Sequence, residues 1–98
     1  MEVKFLGTVS PYCKDEKNCP GYLVTEANTK ILLDCGNGIT RNLKLPDDLI
    51  DLNIIISHLH KDHYGDLSCI AYASFVYKNL KHQFRTHFLF LQGVVLVC

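Results

Sequence analysis

Polar and apolar residues alternate at the start of the chain. Glu2 and Lys4 flank Val3 and precede Phe5, which places both apolar side chains on one face of an extended segment. The pattern predicts a strand from Val3 to Val9, weakened near its end by Gly7. Ser10 to Pro20 is rich in Lys, Asp, Asn and Pro and reads as a loop. Gly21 to Thr25 and Lys30 to Asp34 read as strands, with the polar Glu26-Ala27-Asn28-Thr29 as the hairpin turn between them. Cys35-Gly36-Asn37-Gly38 is a turn, followed by a short helix that ends before Pro46, since the residue before proline avoids helical dihedrals. Asp47 to Leu52 is expected to form one helical turn capped by Asp47. The unalternated Ile54-Ile55-Ile56 within Asn53 to Ser57 predicts a strand buried on both faces. Leu67, Ile70, Ala71 and Ser74 recur at helical spacing, with Phe75 and Lys78 continuing the turn, so a longer helix is expected from near Asp66. Phe84 to Val97 reads as one or two further strands. Strands interleaved with helices indicate the α/β class.

The chemistry concentrates where the isoleucine strand opens into His58-Leu59-His60-Lys61-Asp62-His63. Zinc takes imidazole nitrogen and carboxylate oxygen at about 2.0–2.2 Å. His58 and His60 are two residues apart, so on extended chain both point to the same side and can share one ion. Asp62 and His63 are adjacent, so a turn must aim both at one point, and Gly65 is expected to give the backbone that latitude. Two neighbouring donor pairs suggest two ions close together. The same residues also admit a polar turn in which Asp62 caps the chain, or an Asp62 that orients a histidine without binding metal.

Composition narrows the partners. Lys plus Arg and Asp plus Glu number ten each, which removes the main argument for a nucleic-acid surface and leaves only a local patch. With 98 residues, 48% of them apolar, the chain suits one domain or part of one rather than disorder. Five cysteines, at positions 13, 19, 35, 69 and 98, make an odd count without a C-x-x-C pair, and Met1 to Ser10 has no leader pattern. A reducing, cytoplasmic setting is therefore expected. Cys13 and Cys19 flank the first loop as a conceivable metal or redox pair, but their five intervening residues match no zinc spacing, while Cys35 and Cys69 read as small buried residues. The apolar stretch from Phe88 to Cys98 is broken by Gln92 and Gly93 and is shorter than the ~20 residues of a membrane helix, so no membrane is expected.

In their order and setting these motifs resemble the metallo-β-lactamase superfamily of hydrolases, closest to its ribonuclease Z-like branch. The matching pieces are Gly7-Thr8 after the first strand, Leu32-Leu33-Asp34-Cys35-Gly36, and Ile54 through Asp66 with its H-x-H-x-D-H element. The match covers residues 1 to about 80. It implies the N-terminal half of an αββα sandwich, a single partial domain over residues 1–98 with a divergent tail at 81–98. It further implies that His58 and His60 bind a first zinc, Asp62 and His63 a second, with Mn2+ or Fe2+ as other candidates. Asp62 would also orient the attacking water and take up its proton, as the catalytic residue. Asp34 would support a histidine by a hydrogen bond, against the plainer reading of a turn residue at a strand end. The reaction would be metal-assisted hydrolysis of a phosphodiester, in a small molecule or a nucleic acid, or of another ester-like bond.

Members of that superfamily draw further ligands from later in the chain, including a bridging aspartate. Here no acidic residue follows Asp66, and His82 and His87 read as a helix-end and a strand-surface residue. The truncated N-terminal half of such an enzyme is therefore expected, with the alternative of a metal-binding but inactive fragment that needs a partner chain. Whether the chain is an enzyme on its own is left open by the sequence. A small interaction domain without metal is the third reading. Self-association through exposed apolar surface is expected of either partial form.

Overall fold

The protein is described here by a computed structural model covering residues 1–79 and 86–90, with side chains described through residue 77. Predicted features at 80–85 and 91–98, including His82 and most of the apolar tail, lie outside the described residues, as does the side chain of His87.

Strand β1 (Glu2–Gly7) pairs antiparallel with β2 (Gly21–Glu26), and β2 with β3 (Thr29–Leu33). Strand β4 (Leu52–Ile56) then runs parallel to β3, and β5 (Thr86–Phe90) parallel to β4. The sheet order is β1-β2-β3-β4-β5. The β2–β3 turn is tighter than its composition suggested. Glu26 pairs directly with Thr29, so Ala27 and Asn28 alone make the turn, and Ala27 takes φ 52°. A parallel β3–β4 pair needs a crossover. The chain makes it with two short 3-10 turns, Ile39–Asn42 and Asp47–Leu49, which bury Ile39 and Leu49. The predicted short helix before Pro46 is thus the first of these. Asp47 is not the cap of the second, which Pro46 precedes with no side-chain cap.

Helix α1 (Lys61–Tyr64) is a single turn, and α2 (Leu67–Asn79) carries the chain toward β5. The core lies on one face of the sheet, where Leu6, Leu23, Leu32, Leu52, Ile54 and Ile56 join Ile39, Leu43, Leu49 and Ile70. Leu67, Ala73 and Tyr77 of α2 pack against it, whereas Ala71, placed on the apolar stripe by spacing, is exposed.

The two faces of the sheet are buried unequally. Val3 and Phe5 do share a face, but it is the open one, and Leu6 is the residue of β1 that enters the core. The isoleucine strand is buried on one face: Ile54 and Ile56 are buried and Ile55 is half-buried. The register lines up Phe5, Tyr22, Leu33 and Ile55 across the open face, with Val3, Val24 and Ile31 beside them. The Phe5 and Tyr22 rings meet edge to face at 5.4 Å.

Candidate metal centre

The site grows from the carboxyl ends of the parallel strands β3 and β4, the edge where open α/β sheets place ligands. Immediately past β3, Asp34 takes φ 63°. Few side chains tolerate that left-handed conformation, and aspartate is one of them. Its amide still donates to the Ile55 carbonyl at 2.8 Å, so the pairing with β4 persists while the side chain turns across the strand ends.

The Asp34 carboxylate is saturated with donors. Oδ1 accepts the Ser57 amide at 2.7 Å, the Ser57 hydroxyl lies 2.9 Å from both oxygens, and His63 Nδ1 sits 2.7 Å from Oδ2. A carboxylate only accepts, so His63 carries its proton on Nδ1 and leaves the Nε2 lone pair free. Ser57 has one proton and gives it to Asp34. Its oxygen then accepts from His58 Nδ1, 3.0 Å away, which leaves His58 Nε2 free as well. One buried carboxylate thereby sets the outward nitrogens of two histidines. Carboxylates that hydrogen-bond the far nitrogen of a metal-bound histidine act in this way.

The backbone completes the aim. His60 is extended, with φ −92° and ψ 141°, and α1 follows at once, its His63 amide donating to the His60 carbonyl at 2.9 Å. The His58 ring lies 4.5 Å from that of His60 and 4.1 Å from that of His63, centroid to centroid. Asp62 Oδ2 faces His63 Nε2 at 3.4 Å. Two donors on one tetrahedral ion, each at about 2.0–2.2 Å, stand about 3.4 Å apart. The Asp62–His63 pair is therefore spaced as two ligands of one ion would be. Among the described residues no group of three or more His, Cys, Asp or Glu side chains is arranged to hold a metal ion. The donor chemistry and the spacing of this pair fit a divalent ion, and the fit is that of a partial ligand set.

Three residues that spacing alone undervalued hold this loop. Ser57 links Asp34 to His58. Asp66, buried, accepts the Gly38 amide on Oδ1 and the Thr40 amide on Oδ2, both at 2.9 Å, and so satisfies the start of the first 3-10 turn from across the fold. Gly36 lets the chain pass the site, since a Cβ there would lie 2.4 Å from the Asp62 carbonyl oxygen. The Cys35 amide donates to the His63 carbonyl at 2.8 Å and the Asp66 amide to the Cys35 carbonyl at 3.0 Å. Gly65 serves differently from its expected role. It is in the ordinary right-handed helical region, φ −56°, and its missing side chain makes room for the Asn37 amide. Burial pushes the Cys35 thiol far up, so it is inert packing, whereas Cys69 is exposed rather than buried.

Comparison with known proteins places this geometry. A family model described as anti-Pycsar protein Apyc1 matches residues 1–92. The chain belongs to that family. An anti-Pycsar protein Apyc1 of Bacillus phage 010DV004 is 34% identical over 80 residues, which are 78% of this chain and 31% of that protein. A ribonuclease Z of Saccharolobus solfataricus is 39% identical over 75 residues, 72% of this chain and 25% of that protein. Among solved structures, the metallo-β-lactamase fold protein YhfI from Bacillus subtilis superposes with a TM-score of 0.71 at 22% identity, covering 92% of this chain and 45% of that one. The short form of human tRNase Z gives 0.61 at 20% identity, covering 94% and 45%. The fold is thus the N-terminal part of the metallo-β-lactamase fold, in the ribonuclease Z-like branch of a metal-dependent hydrolase superfamily. This chain of the anti-Pycsar family spans about a quarter to a third of the length of these curated relatives. No helix among its described residues is long and apolar enough to cross a membrane.

Proposed function

We propose that this chain supplies the N-terminal metal-binding half of a phosphodiester hydrolase centre. The observation that carries the reading is the Asp34 carboxylate, which fixes His63 directly and His58 through Ser57 beside a correctly spaced Asp62–His63 pair. His58 and His60 would hold one divalent ion, Asp62 and His63 a second, with zinc the first candidate and manganese or iron the others. When bound, such ions polarise a phosphoryl oxygen and acidify a coordinated water. Asp62 would orient a water at the site and take up its proton. The substrate class is a phosphodiester, in keeping with relatives named ribonuclease Z, and the family name makes opposition to Pycsar the biological setting.

Metal analysis of the purified chain tests the site. The wild type should retain a divalent ion and the His58→Ala/His60→Ala double variant should lose it, with an unchanged circular dichroism spectrum. Equal metal content in the two would place the ion elsewhere.

A second reading is a chain that binds metal but turns over nothing until a partner chain completes the sandwich. The open apolar row Phe5, Tyr22, Leu33 and Ile55 favours it. A chromogenic phosphodiester assay with zinc or manganese separates the two. Turnover near background supports the second reading. Metal-dependent turnover by a monomer, abolished in Asp62→Ala, supports a self-sufficient enzyme.

A further inference from the structure

We propose that Cys13 and Cys19 form a thiol modification site, which a hydroperoxide or a low-molecular-weight disulfide converts to a Cys13–Cys19 disulfide. The site is independent of the metal reading. Six positions separate the two residues, yet their sulfurs lie 3.7 Å apart. The intervening chain explains this. Lys14 and Lys17 form an isolated antiparallel bridge, with amide-to-carbonyl distances of 3.3 and 2.9 Å. Between them Asp15 and Glu16 take φ 53° and 62°. Two successive positive φ values are those of the tightest hairpin turn, normally built from Asn and Gly. Arg41 clamps the turn by donating to the Glu16 carbonyl at 2.8 Å. Backbone held in a sparsely populated conformation persists only where its surroundings over-determine it, and such positions cluster at functional segments.

Both cysteines are tied to one acceptor. The Asn37 carbonyl receives the Cys13 thiol at 3.2 Å and the Cys19 amide at 3.0 Å. The pair is also asymmetric. Cys13 is exposed and Cys19 is buried. Burial first, and the neighbouring Cys13 next, push the Cys19 thiol up to about 11. The incoming reagent therefore meets Cys13 and Cys19 resolves the product, an exposed peroxidatic thiol beside a resolving partner.

The chemistry balances. With a hydroperoxide, the Cys13 thiolate attacks the O–O bond, giving Cys13 sulfenic acid and an alcohol, or water from hydrogen peroxide. Cys19 sulfur then forms the S–S bond and expels hydroxide, which leaves as water with the Cys19 proton. Two electrons pass from the sulfurs to the peroxide. With a low-molecular-weight disulfide, Cys13 forms the mixed disulfide and releases one thiol, and Cys19 displaces the second. The bond would close beside the metal loop, since a Cβ at Gly36 would lie 2.7 Å from Cys19 and 2.4 Å from the Asp62 carbonyl oxygen.

The experiment uses the intact chain, reduced, freed of reductant and treated separately with hydrogen peroxide and glutathione disulfide. Thiols are then alkylated and peptides read by mass spectrometry. A linked Cys13–Cys19 peptide, two fewer alkylated thiols and reversal by dithiothreitol are expected, unchanged in Cys69→Ser. Cys13→Ser, a change at an exposed position, should leave Cys19 a free thiol with no link. Cys13 recovered as sulfinic acid or as a stable glutathione adduct, with Cys19 still free, would overturn the proposal. So would linkage of Cys13 to Cys69 as readily as to Cys19.

Discussion

At the scale of single residues, the organising group is Asp34, whose carboxylate faces a hydroxyl, an amide and an imidazole at once. Removing it should loosen the histidines without deleting a ligand. Loss of such a supporting partner typically costs about 10–100-fold in metal affinity. Asp34→Ala should therefore weaken retention by about that factor, and His60→Ala by more, in a competition titration with a chelator. Equal or reversed losses would remove Asp34 from its supporting role. Ser57 makes a sharper case, because it acts on one ring only. At a pH where imidazole is neutral, nitrogen NMR should find His58 protonated on Nδ1 in the wild type. Ser57→Ala should let His58 drift toward the Nε2-protonated form while His63 keeps its state, and Ser57→Thr should restore the original signature. A Ser57→Ala spectrum identical to wild type would show that the hydroxyl does not set the ring.

At the scale of elements, the His58–His63 loop is held by segments distant in sequence. The Asp34–Gly36 stretch, the Gly38 turn and α1 are laced together by backbone hydrogen bonds, and Asp66 fixes one end of the lacing. Replacing Asp66 with alanine leaves two amide donors without their acceptor. A buried donor left unsatisfied costs about 1–3 kcal/mol. Asp66→Ala should thus lower unfolding free energy by about 2 kcal/mol or more in urea melts, with an unchanged slope. Asp66→Asn keeps one carbonyl acceptor and should fall in between. If alanine costs less than asparagine, the carboxylate is not what holds the turn.

For the whole molecule, the sheet has one face packed under 3-10 turns and α2 and another that carries Val3, Phe5 and Leu33 exposed. Contiguous apolar area beyond a few hundred Å² on a soluble chain usually marks an interaction surface. The chain alone should therefore associate, as light scattering would show. Phe5→Lys with Leu33→Lys should shift it toward monomer while leaving the core untouched. A monodisperse wild-type monomer at the concentrations used would remove the argument for a covering partner. The same open face is why the two readings of function diverge.

Local chemistry by itself determined much of this protein. Alternation in β1, the glycine and proline punctuation, and the β-branched run of β4 report dihedral preference and burial, which are properties of short segments. H-x-H-x-D-H stands out for the same reason, since its residues sit within one short segment after β4. Which face of β1 enters the core was beyond reach, because Leu6 rather than Phe5 is selected by what the sheet packs against. Asp66 looked like the start of a helix, and its partners at Gly38 and Thr40 are twenty-eight and twenty-six positions away. Gly65 looked like a source of freedom and is instead a space for Asn37. The Cys13–Cys19 spacing matched no motif because a turn of two left-handed residues folds it back on itself. Each of these depends on groups meeting through space, and such meetings are fixed only once burial and backbone hydrogen bonding have closed the fold.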